Sequence, residues 1–301
     1  MYRDFTYPDV LASSERSNWR LDDVLGPNDR LDFSHRFMPE ALARTDAAPG
    51  LETRQRLVLN QIIGHQYLSL FGVIEEFILP FVLDHARPQL DSDDYRVRAL
   101  LQFAGEEAKH IQLFRRFRQA FADGFGTPCQ IIGPAQAIAA EVLRHDPLAV
   151  AIAILHIEWM TQSHYLDSVK DDGQIDPRFK SLLRHHWMEE AQHAKLDTLM
   201  VLALAEGRSE PSILNATKEY LEICEFLDAG LAQQAELNLV ALQQASGSSV
   251  ANPETLIAQQ HRAARWTYLG SGMVHDKFVG TLANISPAAQ AFVSTAAMRF
   301  S

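Results

Sequence analysis

One pattern occurs twice in this chain, 83 residues apart, and it limits the possible folds more than any other feature. Residues 100–110 read LLQFAGEEAKH and residues 182–193 read LLRHHWMEEAQH, so Glu107 and His110 stand where Glu190 and His193 stand later. The same offset aligns IEEFILPFVLD (74–84) with IEWMTQSHYLD (157–167), matching Glu75 to Glu158 and Asp84 to Asp167. Each half thus carries a Glu and, 32 residues on, a Glu-x-x-His. With 18 Glu and 12 His in 301 residues, chance alone supplies about 0.7 Glu-x-x-His matches. Chance does not readily supply one offset shared by four stretches, which therefore read as a duplicated helical hairpin.

The four glutamates fall among apolar neighbours such as Phe71, Ile74, Ile78, Ile111, Leu155 and Leu196, which implies burial. Four buried carboxylates repel one another, and each uncompensated charge costs several kcal/mol on the order of magnitude of ion burial. Two divalent cations cancel four negative charges. One Glu from each of two helices and Glu-x-x-His from each of the other two is the ligand arrangement of a carboxylate-bridged dinuclear site. Oxygen-rich ligation with a few imidazoles suits iron, or manganese, better than zinc or copper. The spacing predicts Glu107 and Glu190 as bridges, His110 and His193 as one terminal ligand each, and Glu75 and Glu158 as the remaining terminal ligands. Glu76 competes with its neighbour Glu75 for this role; Glu75 keeps the 83-residue offset and lies nearer the Phe71, Ile78 and Val82 face.

His186 breaks the symmetry, because its counterpart in the first half is Phe103. Lying one helical turn before Glu190, it is expected to be a seventh ligand, on the same metal as His193. Glu106 and Glu189, each preceding a bridging glutamate, are candidates to accept the other ring N–H of a ligand histidine and orient it. The alternative for both is an exposed, helix-favouring Glu. His65, His156, His164 and His185 fit no ligand spacing. Thr161, Gln162 and Tyr165 either line a cavity or are ordinary polar residues at the core edge, and Trp159, Trp187 and Trp266 read as packing.

Apolar periodicity places long helices at about 52–86, 93–122, 147–170, 177–206 and 211–245, with two more opened by Asn252-Pro253 and Ser286-Pro287. No stretch alternates convincingly with period two, so the fold class is all-α, a single domain of 1–301. Its parts are an irregular N-terminal wrap (1–51), a four-helix metal-binding core (52–206) and additional C-terminal helices (207–301). A formal charge of −11 argues against an electrostatic nucleic-acid binder or an anionic-membrane binder. The longest uninterrupted apolar run, 148–155, is far too short to cross a membrane. The N-terminus lacks a signal-peptide core, so a cytoplasmic protein is expected. The cysteines, Cys129 and Cys224, form no CxxC and suggest neither a disulfide scaffold nor a thiolate site.

These residues resemble the ferritin-like diiron carboxylate proteins and, among them, the diiron arylamine N-oxygenases typified by p-aminobenzoate N-oxygenase. The broad likeness rests on Glu75, Glu107/His110, Glu158 and Glu190/His193 within about 52–206. The narrower one rests on His186-x3-Glu190-x2-His193, since that subgroup carries an extra histidine one turn before the last Glu-x-x-His. The resemblance implies a ferritin-like four-helix bundle, two iron ions with manganese possible, and a non-haem diiron monooxygenase. Such an enzyme activates dioxygen and oxygenates a small organic substrate, N-oxygenation of an amine being one outcome. With no Gly-x-Gly-x-x-Gly and no cysteine cluster, the electrons are expected from an external electron donor or from the substrate. A homodimer is expected. The alternatives are a ferroxidase or metal-binding ferritin-like protein and a dimanganese catalase-like enzyme; the added C-terminal helices argue for a covered site rather than a storage shell.

Overall fold

The computed structural model describes residues 5–91 and 94–300, and among these the elements are helical, apart from one isolated bridge between Arg36 and Ile175. The segment read as an irregular wrap contains helix α1 (Tyr7–Arg16) and two single turns, α2 (Leu21–Val24) and α3 (Glu40–Ala43). Thr6 starts α1 by accepting the Asp9 N–H at 3.3 Å. A ten-residue helix with three buried residues is too short for periodicity to reveal. The remainder of this segment does wrap. Asn60 accepts the Phe37 and Met38 N–H groups and donates to the Met38 carbonyl, while Gln61 donates to the Phe33 and His35 carbonyls.

The core is two antiparallel hairpins. The first is α4 (Thr53–Ala86) with α5 (Asp94–Phe125); the expected start at Asp93 lies outside the described residues. After a loop and the short α6 (Ala135–Leu143), the second is α7 (Pro147–Ser163) with α8 (Pro177–Ala205). Acid-proline pairs set both starts. Asp146 accepts the Leu148 N–H at 2.8 Å and Asp176 accepts the Phe179 N–H at 2.7 Å, each before a proline that needs no donor partner. Asp176 also takes the Asp32 N–H at 2.9 Å, pinning the wrap to α8. The third long helix was expected to reach Lys170. Instead it changes at His164 into a π-helical segment, His164–Val169, which periodicity cannot distinguish from α-helix.

Beyond the core run α9 (Glu210–Ser246), α10 (Pro253–Arg265), a second π-helical segment (Trp266–Gly270), α11 (Ser271–Met273), α12 (Asp276–Ile285) and α13 (Pro287–Ala297). The sequence marked two helix starts here, at Asn252-Pro253 and Ser286-Pro287, and the structure puts more than one helix between them. The chain breaks near Val274, where His275 caps the next helix by accepting the Lys277 N–H at 3.2 Å. Helix α9 ends on Gly247 in the left-handed conformation (φ 64°), which a Cβ would strain.

Helix α9 packs against both α4 and α7, and α7 is also covered by α8, α11 and α12, so residues 148–162 of α7 are all buried. That explains why α7 is apolar on every side. Helix α4 is long and apolar enough to span a bilayer, but most of it lies buried inside the bundle.

Candidate metal centre

The hairpins bring the seven sequence-selected residues to one place. Glu75 comes from α4, Glu107 and His110 from α5, Glu158 from α7, and His186, Glu190 and His193 from α8; none is more than 3 % exposed. Two sets of possible ligand atoms each lie within 4.8 Å of one another: Glu75, His110, His186 and Glu190, and then Glu107, His110, Glu190 and His193. Glu190 belongs to both. Its Oε1 lies 2.8 Å from His186 Nε2 and 3.1 Å from His110 Nδ1, and its Oε2 lies 3.3 Å from His193 Nδ1. One carboxylate thus offers an oxygen to each position. On the second side, His193 Nδ1 is 2.9 Å from Glu107 Oε1. Glu158 lies against Glu190 on that side too, near His193.

His186 is not where the sequence suggested. Its Nε2 lies 3.0 Å from Glu75 Oε1, and its ring is 4.7 Å from that of His110, so it shares a position with Glu75 and His110 rather than with His193. Helical rise explains this: seven residues separate His186 from His193, about 10 Å along α8. With Glu190 between them, they straddle the centre.

The neighbouring glutamates brace the histidines crosswise. Glu189, on α8, takes the Nε2–H of His110 at 2.8 Å, and Glu106, on α5, takes that of His193 at 2.9 Å. Both carboxylates are buried, not on the surface. Each copy of the Glu-Glu-x-x-His motif therefore orients the histidine of the other copy, with Nδ1 turned inward. Lys109 pairs with Glu189 and stands 4.1 Å over the Trp19 ring, which is stacked on His110 at 6.0 Å. Ser14 and Gln102 donate to Glu106. Helix α1 and the wrap thus buttress the centre. Glu76 points away and pairs with Arg115 at 3.2 Å.

Buried polar atoms almost always find hydrogen-bond partners, so those lacking one are informative. One oxygen each of Glu75, Glu107 and Glu158 has no hydrogen-bond partner, and Glu107 Oε1 and the Nδ1 atoms of His110 and His193 have only one another and Glu75 and Glu190 as ion-pair neighbours, at 2.9 to 3.6 Å. These atoms sit where cations would be held, and the donor set, four carboxylates and three imidazoles, suits two hard or borderline divalent ions such as iron or manganese. The residues present fit the dinuclear group.

Electrostatics in the metal-free cluster point the same way. Burial opposes charge on His110, but Glu75, Glu189 and Glu190 outweigh it and raise its pKa well above the ordinary imidazole value. Burial is likewise outweighed at His193, held well above that value by Glu190, Glu106 and Glu107, and at His186, raised by Glu190 and Glu75. Burial and the charge of Glu75 push Glu107 up to about 7. Burial and Glu190 push Glu158 well above the carboxylate range. Glu190 goes the other way: against the effect of burial, His186 and His193 draw it well below.

Asp197 was not singled out from the sequence. It is buried one turn beyond His193, its Oδ2 has no hydrogen-bond partner, and burial with the charges of Glu107 and Glu190 raises its pKa well above normal. One signal was available: its 83-residue counterpart is Phe114, so here, as at His186, a phenylalanine of the first half is replaced by a polar residue. Trp19, too, was overlooked, since it lies in the wrap where no periodicity marks it.

The remaining histidines have other partners: His156 with the Tyr220 hydroxyl at 2.8 Å, His164 with the Tyr67 hydroxyl at 3.1 Å, His185 with the Ser181 carbonyl at 2.8 Å, and His65 on the Phe121 ring at 4.6 Å. Thr161 donates to its own helix at Ile157 and Gln162 to the Trp187 carbonyl, while Tyr165 stacks on Trp187. Trp159 stacks on His275.

A model of the family described as p-aminobenzoate N-oxygenase AurF matches residues 12–212. Among solved structures, a variant of an R2-like ligand-binding oxidase anaerobically reconstituted with a Mn/Fe cofactor is similar at 12% identity and a TM-score of 0.47, covering 92% of this chain and 95% of that one. A second variant of that oxidase, with the same kind of cofactor, is similar at 13% identity and a TM-score of 0.45, covering 89% and 94%. No curated protein matches the chain in sequence.

Proposed function

Because this chain belongs to the p-aminobenzoate N-oxygenase (AurF) family and is an oxygenase with a dinuclear metal centre, we propose that it oxygenates the nitrogen of an amine. In this reading Glu75, Glu107, His110, Glu158, His186, Glu190 and His193 hold two iron ions, with manganese the other candidate. The observation that carries it is the convergence of buried carboxylates and imidazoles on two adjoining positions, with one oxygen each of Glu75, Glu107 and Glu158 left without a hydrogen-bond partner.

The metal pair, when bound, supplies the two-electron reduction of dioxygen. The chain's own residues do the rest. Glu190 would offer one oxygen to each of the two positions, Oε1 beside His186 and Oε2 beside His193. Glu189 and Glu106 keep the Nε2–H of His110 and His193 engaged, so that each Nδ1 faces inward. Phe71 and Phe114 lie edge-on to His186, at 5.4 and 5.1 Å, and Phe103 covers His193 at 4.1 Å, keeping water from the reacting atoms. Asp197 is placed to hold a proton at Oδ2 beside His193.

Converting an amine to a hydroxylamine consumes one dioxygen, two electrons and two protons and releases water. The electrons come from an external donor, and we place the protein, as a homodimer, in the cytoplasm. The test uses protein expressed with added iron, reduced, mixed with labelled dioxygen and offered an arylamine. Two metals per chain and label on nitrogen support the reading. Label on carbon only, or two bound metals with no oxygen transfer to any amine tried, refutes it.

A further inference from the structure

A cavity of about 50 Å³ lies between α4, α7 and α9. It stands level with the metal centre, because Ile74 and Ile157 in its wall immediately precede Glu75 and Glu158. Phe71 is the partition, its ring 6.5 Å from that of Tyr268 on the cavity side and 5.4 Å from that of His186 on the metal side. Away from the centre the cavity backs onto a surface groove of about 460 Å³ between α6 and α9. Ile132, Ile138 and Leu227, all half-buried, line both spaces, so side chains rather than backbone separate them. Ile132 seats against Gly230 of α9, where a Cβ would stand 2.9 Å from its Cδ1. A rotamer change at such a contact takes nanoseconds and opens the way between groove and cavity.

Size and lining decide what can enter. Engineered apolar cavities of about 150 Å³ stay dry and take up benzene or xenon. With about a third of that space, this one holds xenon or a diatomic gas and excludes a ring compound. No Arg, Lys, Asp or Glu lines it, and its polar side chains are engaged elsewhere. His156 Nδ1 pairs with the Tyr220 hydroxyl at 2.8 Å, and its Nε2 edge lies against Gly272. Cys224 also pairs with Tyr220, and Tyr268 borders Gln66 in a recess behind the cavity. A buried water needs about two to four polar partners and finds too few here. Dioxygen needs none, and as an apolar molecule it gains by leaving water.

We propose that this cavity is a way-station for dioxygen, filled from the surface groove past Ile132, Ile138 and Leu227 and emptied toward the metals past Ile74, Ile157 and Phe71. A ring compound must reach the centre by another way, so the two substrates do not compete for one entrance. The proposal rests on the oxygen-activating centre described above and is independent of which atom of the organic substrate is oxygenated.

Xenon reads the cavity without any metal. Crystals of the metal-free protein held under xenon should show the gas between Ile74, Ala153 and Leu231. Ala153→Val adds two carbons to the wall on α7 and should abolish that site. In the metal-loaded, reduced protein, with metal content unchanged, the same variant should slow oxidation by dioxygen about tenfold, equivalent to about 1.4 kcal/mol on entry. Leu227→Trp narrows the mouth and, being only half-buried, serves where Ala153→Val does not fold; it should keep the xenon site and slow oxidation about threefold. No xenon in the wild type, or an oxidation rate unmoved in a folded variant of either kind, overturns the proposal. Xenon bound by a protein whose metal-loaded, reduced form does not react with dioxygen overturns the oxygen-activating reading and this route with it. Oxidation slowed as expected, without oxygen transfer to any amine, supports the route and overturns the N-oxygenation reading.

Discussion

Loading the metal-free protein with two divalent ions should release about four protons per chain near pH 6.5. The number follows from the pairing in the cluster. Without metal, His110 and His193 are held well above the ordinary imidazole value and His186 above it, so the three favour their positive form around the ionised Glu190. Glu158 is pushed well above the carboxylate range and Glu107 to about 7, so these hold protons too. Five groups share the load, and Glu107, at about 7, is only partly protonated, so the sum is at least about four. Charge balance gives the same figure independently, because two divalent ions bring four positive charges into a cluster that protons had neutralised. The assay is titration with Mn(II), which is stable in air, in a weakly buffered solution with a pH indicator, repeated calorimetrically in buffers of different ionisation enthalpy. The combined binding constant should rise about 10⁴-fold per pH unit around pH 6.5 and flatten above the raised histidine values. Protons compete with metal for the same lone pairs, so affinity increases with pH. Two ions bound with one proton or none released would show that these groups are not both protonated and ligating, and the reasoning would fall.

Replacing Glu189 with Ala frees the His110 ring, and Glu106→Ala frees His193; each should cost about 10- to 100-fold in affinity for one of the two metals. Metal analysis after partial chelation should find chains retaining about one ion, and unchanged retention would deny the crosswise bracing. Acid stability should depend on His65, which burial, helped by Arg118, lowers to about 4. Its folded value lies below its unfolded one, so its contribution is complete above about pH 6.5 and is lost as pH falls toward 4, about 3 kcal/mol in all. Urea denaturation at pH 7.5 and pH 5 should show His65→Leu losing about 2 kcal/mol less than wild type; parallel losses would be contrary to this. Asp176→Ala removes both the α8 cap and the anchor of the wrap at Asp32, and should destabilise by about 2 kcal/mol in the same assay. A loss below about 0.5 kcal/mol would mean that water replaces both bonds.

Much of this molecule is legible in one dimension, for identifiable reasons. The helix starts at Pro147 and Pro177 were readable because an acid-proline pair solves a local problem, the unpaired donors of a first turn. The break near Val274 and the π-helical segments were not, because nothing local marks them. The same division runs through the centre. Six side chains could be nominated from the 83-residue offset and His186 from its place one turn before Glu190, since burying four glutamates together carries a cost that leaves a pattern. His186 was assigned to the wrong position, because the side of Glu190 on which a residue faces a partner depends on how α8 lies across α4 and α5.

Residue order and spacing were enough for an all-helical chain, a doubled hairpin and a carboxylate–imidazole cluster, because helical periodicity and charge burial act between neighbours or between copies of one motif. The partnership of Glu189 with His110 and Glu106 with His193, and the closing of Trp19 and Asp197 on the centre, arose only in three dimensions. Each draws on segments far apart in the sequence, and the distances are set by how whole helices pack, which no short stretch of chain encodes.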